Sequence, residues 1–210
     1  MKITKIEPSK KKGFSRIYLD GQFFMSLADE VITRRALKVG NELSEEQVPE
    51  LSRAALVRRA RERLLYALDR RLHSEKELRE KLWRDYPPDI IDAAIAELGR
   101  LGLIDNSSFA RAFCEHRVNS LKKGPYAIRQ ELILKGVSRE VIDAALSEVF
   151  SDEDEEYNAA RKAAEKYQSD IDTPKGKRRA FAALTRKGFS YSVIKRVMRE
   201  LCDGFEEFED

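Results

Sequence analysis

The chain has 210 residues, of which 42% are hydrophobic and 37% are charged, so it can build a hydrophobic core and is not wholly disordered. Its 40 Lys and Arg residues nearly balance its 37 Asp and Glu residues, leaving a net charge of +3, which alone does not indicate a nucleic-acid partner. The two cysteines form no CxxC or CxxH pair, and no apolar run approaches the roughly 20 residues of a membrane span,. This predicts a cytoplasmic protein without a disulfide, a zinc site or a membrane partner.

Residues 1–43 predict a small β element followed by a short helix. Short β-prone runs occupy positions 3–6, 14–19 and 23–25. Asp20-Gly21 separates the last two runs, and this pair is the strongest short signal for a β-hairpin. The short helix is expected near positions 28–37, with Gly40 as its end.

From Ser44 onward the pattern is helical. Ser44-Glu-Glu-Gln47 and Ser74-Glu-Lys-Glu77 both have the form of a capping box,. Pro49 is expected to break the first helix early, and Ser52 to restart it. The restarted helix is expected to run to about Leu72. Its apolar residues follow the three-four spacing of a buried helix face: Val57, Ala60, Leu64, Leu68 and Leu72.

The helical part repeats itself with a period of 52 residues. The pattern Leu132-x-x-Lys135-Gly136-Val137-Ser138-x-x-Val141-Ile142 returns as Leu184-x-x-Lys187-Gly188-Phe189-Ser190-x-x-Val193-Ile194. Residues 90–95 form a third copy of residues 141–146, at an offset of 51. A fixed period of this size is typical of a modular array. It predicts repeats at residues 44–105, 106–151 and 152–202, followed by an acidic tail at 203–210.

Each repeat predicts three helices, with a tight turn between the second and third, as in a helix-turn-helix. In the middle repeat the helices are expected at 107–121, 125–135 and 139–150. Gly136 and Gly188 stand where a helix end favours a left-handed residue. The expected fold class is mainly α: three tandem helix-turn-helix-like repeats in an elongated array, preceded by a small N-terminal β-hairpin or sheet.

The sequence contains no recognisable catalytic constellation. Its two histidines, His73 and His116, lie in no nucleophile arrangement, and no glycine-rich phosphate loop is present,. On a helix, Cys114 and His116 would point about 200° apart, which does not suit a shared metal. We therefore predict a protein that is not an enzyme and that needs no cofactor and no metal.

Basic residues collect at three places, which makes them candidates for binding a partner or DNA. Between residues 53 and 84, eleven basic residues stand against five acidic ones. There Arg59, Arg63 and Arg70 fall within about 40° on a helical projection, beside Tyr66. They would follow phosphates, pair with carboxylates of a protein partner, or form a solvated face. The other candidates precede the second helix of the second and third repeats: Lys122, Lys123, Lys177, Arg178 and Arg179.

Seven aromatic residues are interpreted as core residues, because their spacing gives no stripe on which bases would stack. They are Phe109, Phe113, Tyr126, Phe150, Tyr167, Phe181 and Phe189.

A linked series of blocks resembles the RecX family of bacterial regulatory proteins. The blocks are Leu103-Ile104-Asp105-Asn106-x-x-Phe109-Ala110, then Arg117, Gly124-Pro125, Ile128, Glu131-Leu132 and Lys135-Gly136-Val137. The segment Ser74-Glu75-Lys76-Glu77-Leu78-Arg79-x-Lys81-Leu82 matches a further block. The resemblance is strong from about residue 64 to 150, weaker in the third repeat, and extends to the β element in layout. Asn106 stands where the family commonly has a second Asp.

The resemblance implies a regulator that binds the RecA filament on single-stranded DNA and mainly inhibits its recombinase, ATPase and co-protease activities. Such a protein acts in homologous recombination, DNA repair and the SOS response. We expect a monomer whose binding to bare single- or double-stranded DNA is weak. The alternative is a helix-turn-helix protein that acts directly on DNA, although the third helices lack the Arg, Asn and Gln cluster that reads base edges. An inert helical scaffold explains the repeats but not the specific blocks.

Overall fold

The structure, a computed structural model, describes residues 1–202 apart from the side chain of Glu153. The acidic tail predicted at 203–210 lies outside the described residues. Within them the chain forms three β-strands, ten α-helices and one 3-10 helix, so the expected mainly α fold with an N-terminal β element is confirmed. The chain divides into two units: Met1–Asp69 with Arg79–Leu101, and Arg70–Leu78 with the residues from Gly102 onward.

The N-terminal sheet is antiparallel, in the order β1 (Ile3–Pro8), β2 (Phe14–Leu19) and β3 (Gln22–Ala28). Asp20 and Gly21 join the last two strands, with φ values of 48° and 84°. A two-residue turn with positive φ at both positions matches the twist of the strands it joins. The predicted hairpin is therefore confirmed.

The short helix α1 (Asp29–Arg34) is briefer than predicted. Its first expected residue, Ala28, belongs to β3, and the chain leaves the helix through Ala36, whose φ is 49°. The expected end at Gly40 was therefore wrong. The core beneath the sheet is formed by buried aliphatic residues from the strands, the following loop and the next helix: Ile3, Ile17, Leu19, Leu27, Leu43 and Leu51.

The long helix α2 (Gln47–Leu68) begins with the predicted capping box. The Gln47 N–H donates to Ser44 Oγ at 3.2 Å, and the Ser44 N–H donates to Gln47 Oε1 at 3.0 Å. The prediction that Pro49 breaks this helix was wrong. Pro49 is its third residue, where backbone N–H groups have no partner inside the helix, so the missing N–H removes no hydrogen bond.

The buried face of α2 was predicted correctly at its centre. Ala60 and Leu64 are fully buried. Val57 and Leu68 are half-buried, whereas Leu72 lies beyond the end of the helix and is exposed. This face packs against α4 (Pro88–Arg100), and the intervening helix is α3 (Glu75–Leu82).

The second unit contains two further helix triplets. The equivalent positions Leu132 and Leu184 are both fully buried, as are Ile142 and Ile194. Residues that are 52 positions apart therefore occupy equivalent core positions in the two triplets. The elements are α5 (Asn106–Leu121), α6 (Pro125–Leu134), α7 (Arg139–Val149), α8 (Glu153–Ala164), the 3-10 helix (Glu165–Asp170), α9 (Pro174–Arg186) and α10 (Tyr191–Leu201).

Most of the aromatic residues lie in these cores as predicted. Phe109 and Phe189 are buried. Four others, Phe113, Phe150, Tyr167 and Phe181, pack half-buried against the two clusters. The prediction was wrong for Tyr126, which is 62% exposed. It stands in the first turn of α6, where its backbone rather than its ring makes the contact described below. No helix among residues 1–202 is long and apolar enough to cross a membrane.

Candidate partner-binding surfaces

Arg59 and Arg63 line a cavity in the first unit. They stand on consecutive turns of α2, and the cavity, of about 520 Å³, lies between this helix and the N-terminal sheet. Tyr66, which is 64% exposed, and Tyr86 line it as well. Arg63 pairs with Asp85. Arg59 has no side-chain hydrogen bond or ion pair to any described residue, so its guanidinium group is available to a ligand.

The charge of this cavity is strongly positive. Besides Arg59 and Arg63, its lining includes Lys11 and Arg58, against the single carboxylate of Glu62. Lys11 Nζ lies 2.5 Å and Arg58 Nε lies 3.4 Å from the Glu62 carboxylate oxygens. Burial alone would raise the pKa of Glu62, but the hydrogen bonds from both cations lower it below its usual value. Glu62 therefore stays ionised at neutral pH and offsets only part of the cationic charge.

Arg70 does not line this cavity. The helix α2 ends at Leu68, so the helical projection that grouped Arg70 with Arg59 does not extend to it. Arg70 belongs to the second unit. The sequence therefore grouped two of the three arginines correctly, and it missed Lys11, Arg58 and Tyr86, which only the fold brings to the same cavity.

A lysine cluster occupies the end of α5 in the second unit. Lys187 Nζ donates to the carbonyl oxygens of Leu121, at 2.6 Å, and Lys122, at 3.2 Å. Burial lowers the pKa of Lys187, and the nearby charges of Lys166, Lys123 and Lys122 lower it further. The charges of three other lysines therefore act on the ammonium group of Lys187, an arrangement that favours the binding of an anion,.

The two predicted lysines of this cluster differ in their surroundings. Lys123 pairs with Glu131, which also accepts a hydrogen bond from Arg117 at 2.6 Å. Lys122 has a left-handed backbone with φ of 51°, and its ammonium group donates to the carbonyl oxygen of Asn119. The charge of Lys123 is therefore locally compensated, whereas Lys122 makes no ion pair among the described residues.

A groove of about 700 Å³ on the third triplet is lined by four cations and no acidic residue. The predicted Arg178 and Arg179 both line it, whereas Lys177 does not. Arg179 pairs with Asp170 at 3.0 Å. The remaining cations, Lys175 and Arg186, form no ion pair within residues 1–202.

This groove adjoins the lysine cluster, because Arg186 and Lys187 are consecutive, as are Lys166 and the groove residue Tyr167. We call six cations of the groove and the cluster, which exclude the paired Lys123 and Arg179, the basic surface of the second unit: Lys122, Lys166, Lys175, Arg178, Arg186 and Lys187.

A joint between α6 and α9 fixes the two parts of this surface relative to each other. The Gly124 N–H donates to the carbonyl oxygen of Lys187 at 2.8 Å, and the Tyr126 N–H donates to that of Gly188 at 3.0 Å. The N-terminal end of α6 thus meets carbonyl groups at the C-terminal end of α9, where helices leave carbonyls without internal partners. Gly188 has a φ of 80°, as the sequence predicted.

The same kind of joint occurs 52 residues earlier, at Lys135 and Gly136. Ser74 Oγ donates to the carbonyl oxygen of Lys135 at 2.8 Å, and Lys76 Nζ donates to that of Leu134 at 2.9 Å. Gly136 has a φ of 75°, again as predicted. In both triplets, therefore, the Lys-Gly pair lies at the C-terminal end of a helix that accepts hydrogen bonds from residues at the start of another helix. The end of α9 contacts the start of α6, and the end of α6 contacts the start of α3.

A buried carboxylate supports the earlier joint. The side chain of Glu77 is 11% exposed and accepts hydrogen bonds from Arg71 at 2.9 Å and from Lys135 at 2.5 Å. Burial alone would raise its pKa, but these two cationic donors lower the pKa of Glu77 to about 2.

We expect Glu77→Gln to lower the free energy of unfolding at pH 7 by about 1–3 kcal/mol. The folded-state pKa of about 2 lies below the usual 4.5, so the carboxylate contributes stability above pH 4.5 that is lost as the pH falls toward 2. Urea unfolding followed by circular dichroism at pH 7, 4.5 and 3 measures this. Glu148→Gln, at an exposed ion pair with Arg111, is the control and should change little. If Glu77→Gln loses as much stability on acidification as the parent, the lowered pKa of Glu77 does not contribute to the acid sensitivity of the fold.

Cys114 and His116 stand two residues apart on α5, and their surroundings differ. Cys114 is fully buried, and burial raises the pKa of its thiol to about 11, so the thiol stays protonated at neutral pH. His116 is exposed, with its Nδ1 at 3.3 Å from Ser120 Oγ. No group of three or more His, Cys, Asp or Glu residues in this part of the chain is placed to hold a metal ion.

Four family models match consecutive parts of the chain. They are the regulatory protein RecX N-terminal domain at residues 1–44, and the first, second and third three-helix domains of RecX at residues 60–98, 105–146 and 153–198. Together they cover most of the sequence, including the third repeat, in which the motifs alone gave a weaker resemblance.

Individual proteins are similar over nearly the whole chain. The regulatory protein RecX of Clostridioides difficile is 33% identical, over 99% of this chain and 98% of that relative. The regulatory protein RecX of Limosilactobacillus reuteri is 32% identical, over 95% of this chain and 76% of that relative. A crystal structure of regulatory protein RecX superposes with a TM-score of 0.77 at 31% identity, covering 94% of this chain and 98% of the other. The crystal structure of RecX from Lactobacillus salivarius superposes with a TM-score of 0.62 at 26% identity, covering 70% of this chain and 97% of the other.

Proposed function

Because the chain belongs to the RecX family of regulatory proteins, we propose that it binds the RecA filament on single-stranded DNA and restrains RecA. The observation that carries this proposal is the basic surface of the second unit, where Lys175 and Arg186 stand in a groove without an acidic lining residue. Cations that are not compensated within their own protein are suited to DNA phosphates or to carboxylates of a protein partner. A nucleoprotein filament offers both.

The charge balance favours the filament over bare DNA. The net charge is only +3, and many cations outside the two basic regions have acidic partners, such as Arg129 with Asp143 and Arg161 with Glu200. Electrostatic attraction to DNA alone is therefore modest. Contacts with the protein part of the filament would supply the remaining affinity and the specificity.

Regulation of this kind requires binding rather than catalysis. A protein that binds one state of the filament more tightly than another shifts the filament toward the first state. We propose that the chain lowers strand exchange, ATP hydrolysis and co-protease activity in this way. We propose two contact regions, the basic surface of the second unit and the cavity at Arg59 and Arg63. Further candidates lie close in sequence to these regions: Arg70, Lys123, Lys177 and Arg179.

We expect this protein to bind a RecA-coated oligonucleotide at least about tenfold more tightly than the same oligonucleotide without RecA, a difference of about 1.4 kcal/mol. Fluorescence anisotropy of a labelled single strand at 0.15 M salt measures both affinities, with the non-hydrolysable ATP analogue present in both samples. Nanomolar binding to the bare strand, with no gain from RecA, would instead support a helix-turn-helix protein that acts directly on nucleic acid.

A further inference from the structure

The cavity of the first unit has an apolar interior. Six of its lining residues have hydrocarbon side chains, and they come from the sheet, from α1 and from α2: Phe14, Leu27, Ala28, Val31, Ala54 and Ala55. Three of the six are alanines, so α2 passes the sheet here without a large side chain to fill the space. The volume of about 520 Å³ lies within the roughly 300–1,000 Å³ of small-ligand sites. The interior is therefore suited to a hydrocarbon group.

The helix α2 places two arginines beside this apolar interior. Ala54 and Ala55 are followed one turn later by Arg58 and Arg59, and residues four apart lie on the same face of a helix. At about 100° per residue, this face is opposite the one around Leu64 that packs against α4. A ligand whose body contacts the two alanines has its other end at the arginines, about 6 Å farther along the helix.

The charges around the cavity leave one cation without an acidic partner. Four cations line the cavity. Three of them have acidic partners: Lys11 with Glu62, Arg58 with Glu62 and Glu30, and Arg63 with Asp85. Arg59 makes neither an ion pair nor a side-chain hydrogen bond among residues 1–202. The cavity therefore presents one uncompensated positive charge at the edge of an apolar interior, which matches a ligand with a single negative charge.

We propose that this cavity binds a small amphipathic monocarboxylate, that is, a carboxylic acid with a short aliphatic or aromatic body. The carboxylate pairs with Arg59, whose planar guanidinium group donates two parallel hydrogen bonds to such a group. The body contacts Ala54, Ala55 and Phe14, and its removal from water stabilises the complex. A bound ligand covers Arg59 and so excludes any other partner from this arginine.

A phosphate ester and a polar acidic peptide both explain the cavity less well. A phosphate dianion needs more than one uncompensated cation. The carboxylate of Glu62, which the neighbouring cations keep ionised, repels its second charge. A polar acidic peptide pairs with Arg59 but leaves the apolar interior in contact with water. A monocarboxylate with a hydrocarbon body satisfies both the charge and the interior.

The inference does not depend on the proposed action on RecA, and its test contains no RecA. Butanoate, hexanoate and octanoate are titrated into the full ¹⁵N-labelled chain, and the amide chemical shifts give each affinity and the position of the site. The affinity should rise about tenfold for each two methylene groups, since one buried methylene group contributes about three- to fourfold. The amides of Phe14, Ala54 and Ala55 should shift most.

The charge and the interior are tested separately. Octanoate should bind about fivefold more tightly than octanamide, which has the same length and no charge. Arg59→Gln should remove this difference, whereas Arg100→Gln, which removes an exposed charge at the end of α4, should keep it. Ala54→Leu fills part of the cavity and should weaken octanoate binding about tenfold. Ala182→Leu, at a half-buried alanine of the third triplet, is the matched control and should leave it unchanged.

Equal affinity of the parent for octanoate and octanamide would overturn the proposal, as would affinities that do not rise with chain length. Shifts that appear at the groove of the third triplet instead of the cavity would also overturn it. Displacement of octanoate by an equal concentration of tetraglutamate would do the same, and would indicate a protein carboxylate as the ligand of Arg59. If Ala54→Leu does not fold, which circular dichroism shows, the comparison of octanoate with octanamide in the parent decides.

Discussion

Gly188→Ala is expected to destabilise the second unit by about 2–4 kcal/mol. Gly188 has a φ of 80°, which a residue with a side chain resists,. The added Cβ would also lie 2.6 Å from the Cβ of Ala127 and closer than 3.0 Å to its backbone nitrogen. The backbone of α6 cannot move away without breaking its hydrogen bonds to Lys187 and Gly188. The steric clash with Ala127 therefore adds to the cost of the positive φ.

Two further glycines provide graded controls for this prediction. Gly102 has a φ of 68° but open space around it, and Gly136 has a φ of 75° with the Lys76 side chain at 2.8 Å. Gly102→Ala should therefore cost only about 1 kcal/mol, and Gly136→Ala an intermediate amount. Thermal unfolding measures the order, at about 2–4 °C per kcal/mol for a chain of this size. Equal losses at all three positions would mean that the joint does not constrain Gly188 sterically.

Removing three cations from the basic surface should produce the largest effect on partner binding. The triple variant Lys175→Gln, Arg178→Gln and Arg186→Gln is expected to weaken binding to the RecA filament about 50-fold at 0.15 M salt and to reduce the salt slope by about two units. All three residues line the same groove, whose lining contains no acidic residue. The measurement is anisotropy of a RecA-coated labelled strand at several salt concentrations.

A second triple variant removes the same charge from the same unit. Arg111, Arg129 and Arg161 are half exposed and paired with Glu148, Asp143 and Glu200. Exposed pairs contribute little, so changing these three residues to Gln should alter filament affinity less than about threefold. If both triple variants weaken binding equally, net charge rather than the groove determines the affinity, and the contact surface lies elsewhere.

The sequence predicted the parts of this fold that depend on local pattern. The hairpin at Asp20-Gly21 and the left-handed glycines 136 and 188 follow from turn chemistry and helix ends,. The 52-residue period placed Leu132 and Leu184 in equivalent cores. Pro49 was misjudged because the sequence does not show that Gln47 already begins the helix, so the proline falls in its tolerant first turn.

The candidate sites were harder to predict, because they depend on contacts between distant residues. Ser74 reaches Lys135, 61 residues away, and Lys187 reaches Leu121, 66 residues away. No local pattern brings Lys166 to Lys187, or Lys11 to the cavity beside Arg59. Arg70 was grouped with Arg59 because the apolar spacing continued to Leu72, whereas the helix ends at Leu68. The recurrence of basic residues at one place in two repeats singled out Lys122 and Arg178 as candidates, but it did not single out Arg186, which lines the same groove as Arg178.

The central claim, that this protein restrains the RecA filament, is tested most directly by the steady-state ATPase rate of RecA on single-stranded DNA. The rate is measured at increasing concentrations of this protein, up to those that saturate its binding to the filament. We expect the rate to fall as the filament becomes saturated, and to remain near its starting value with the triple variant of Lys175, Arg178 and Arg186. An unchanged rate in the presence of saturating parent protein would contradict the claim.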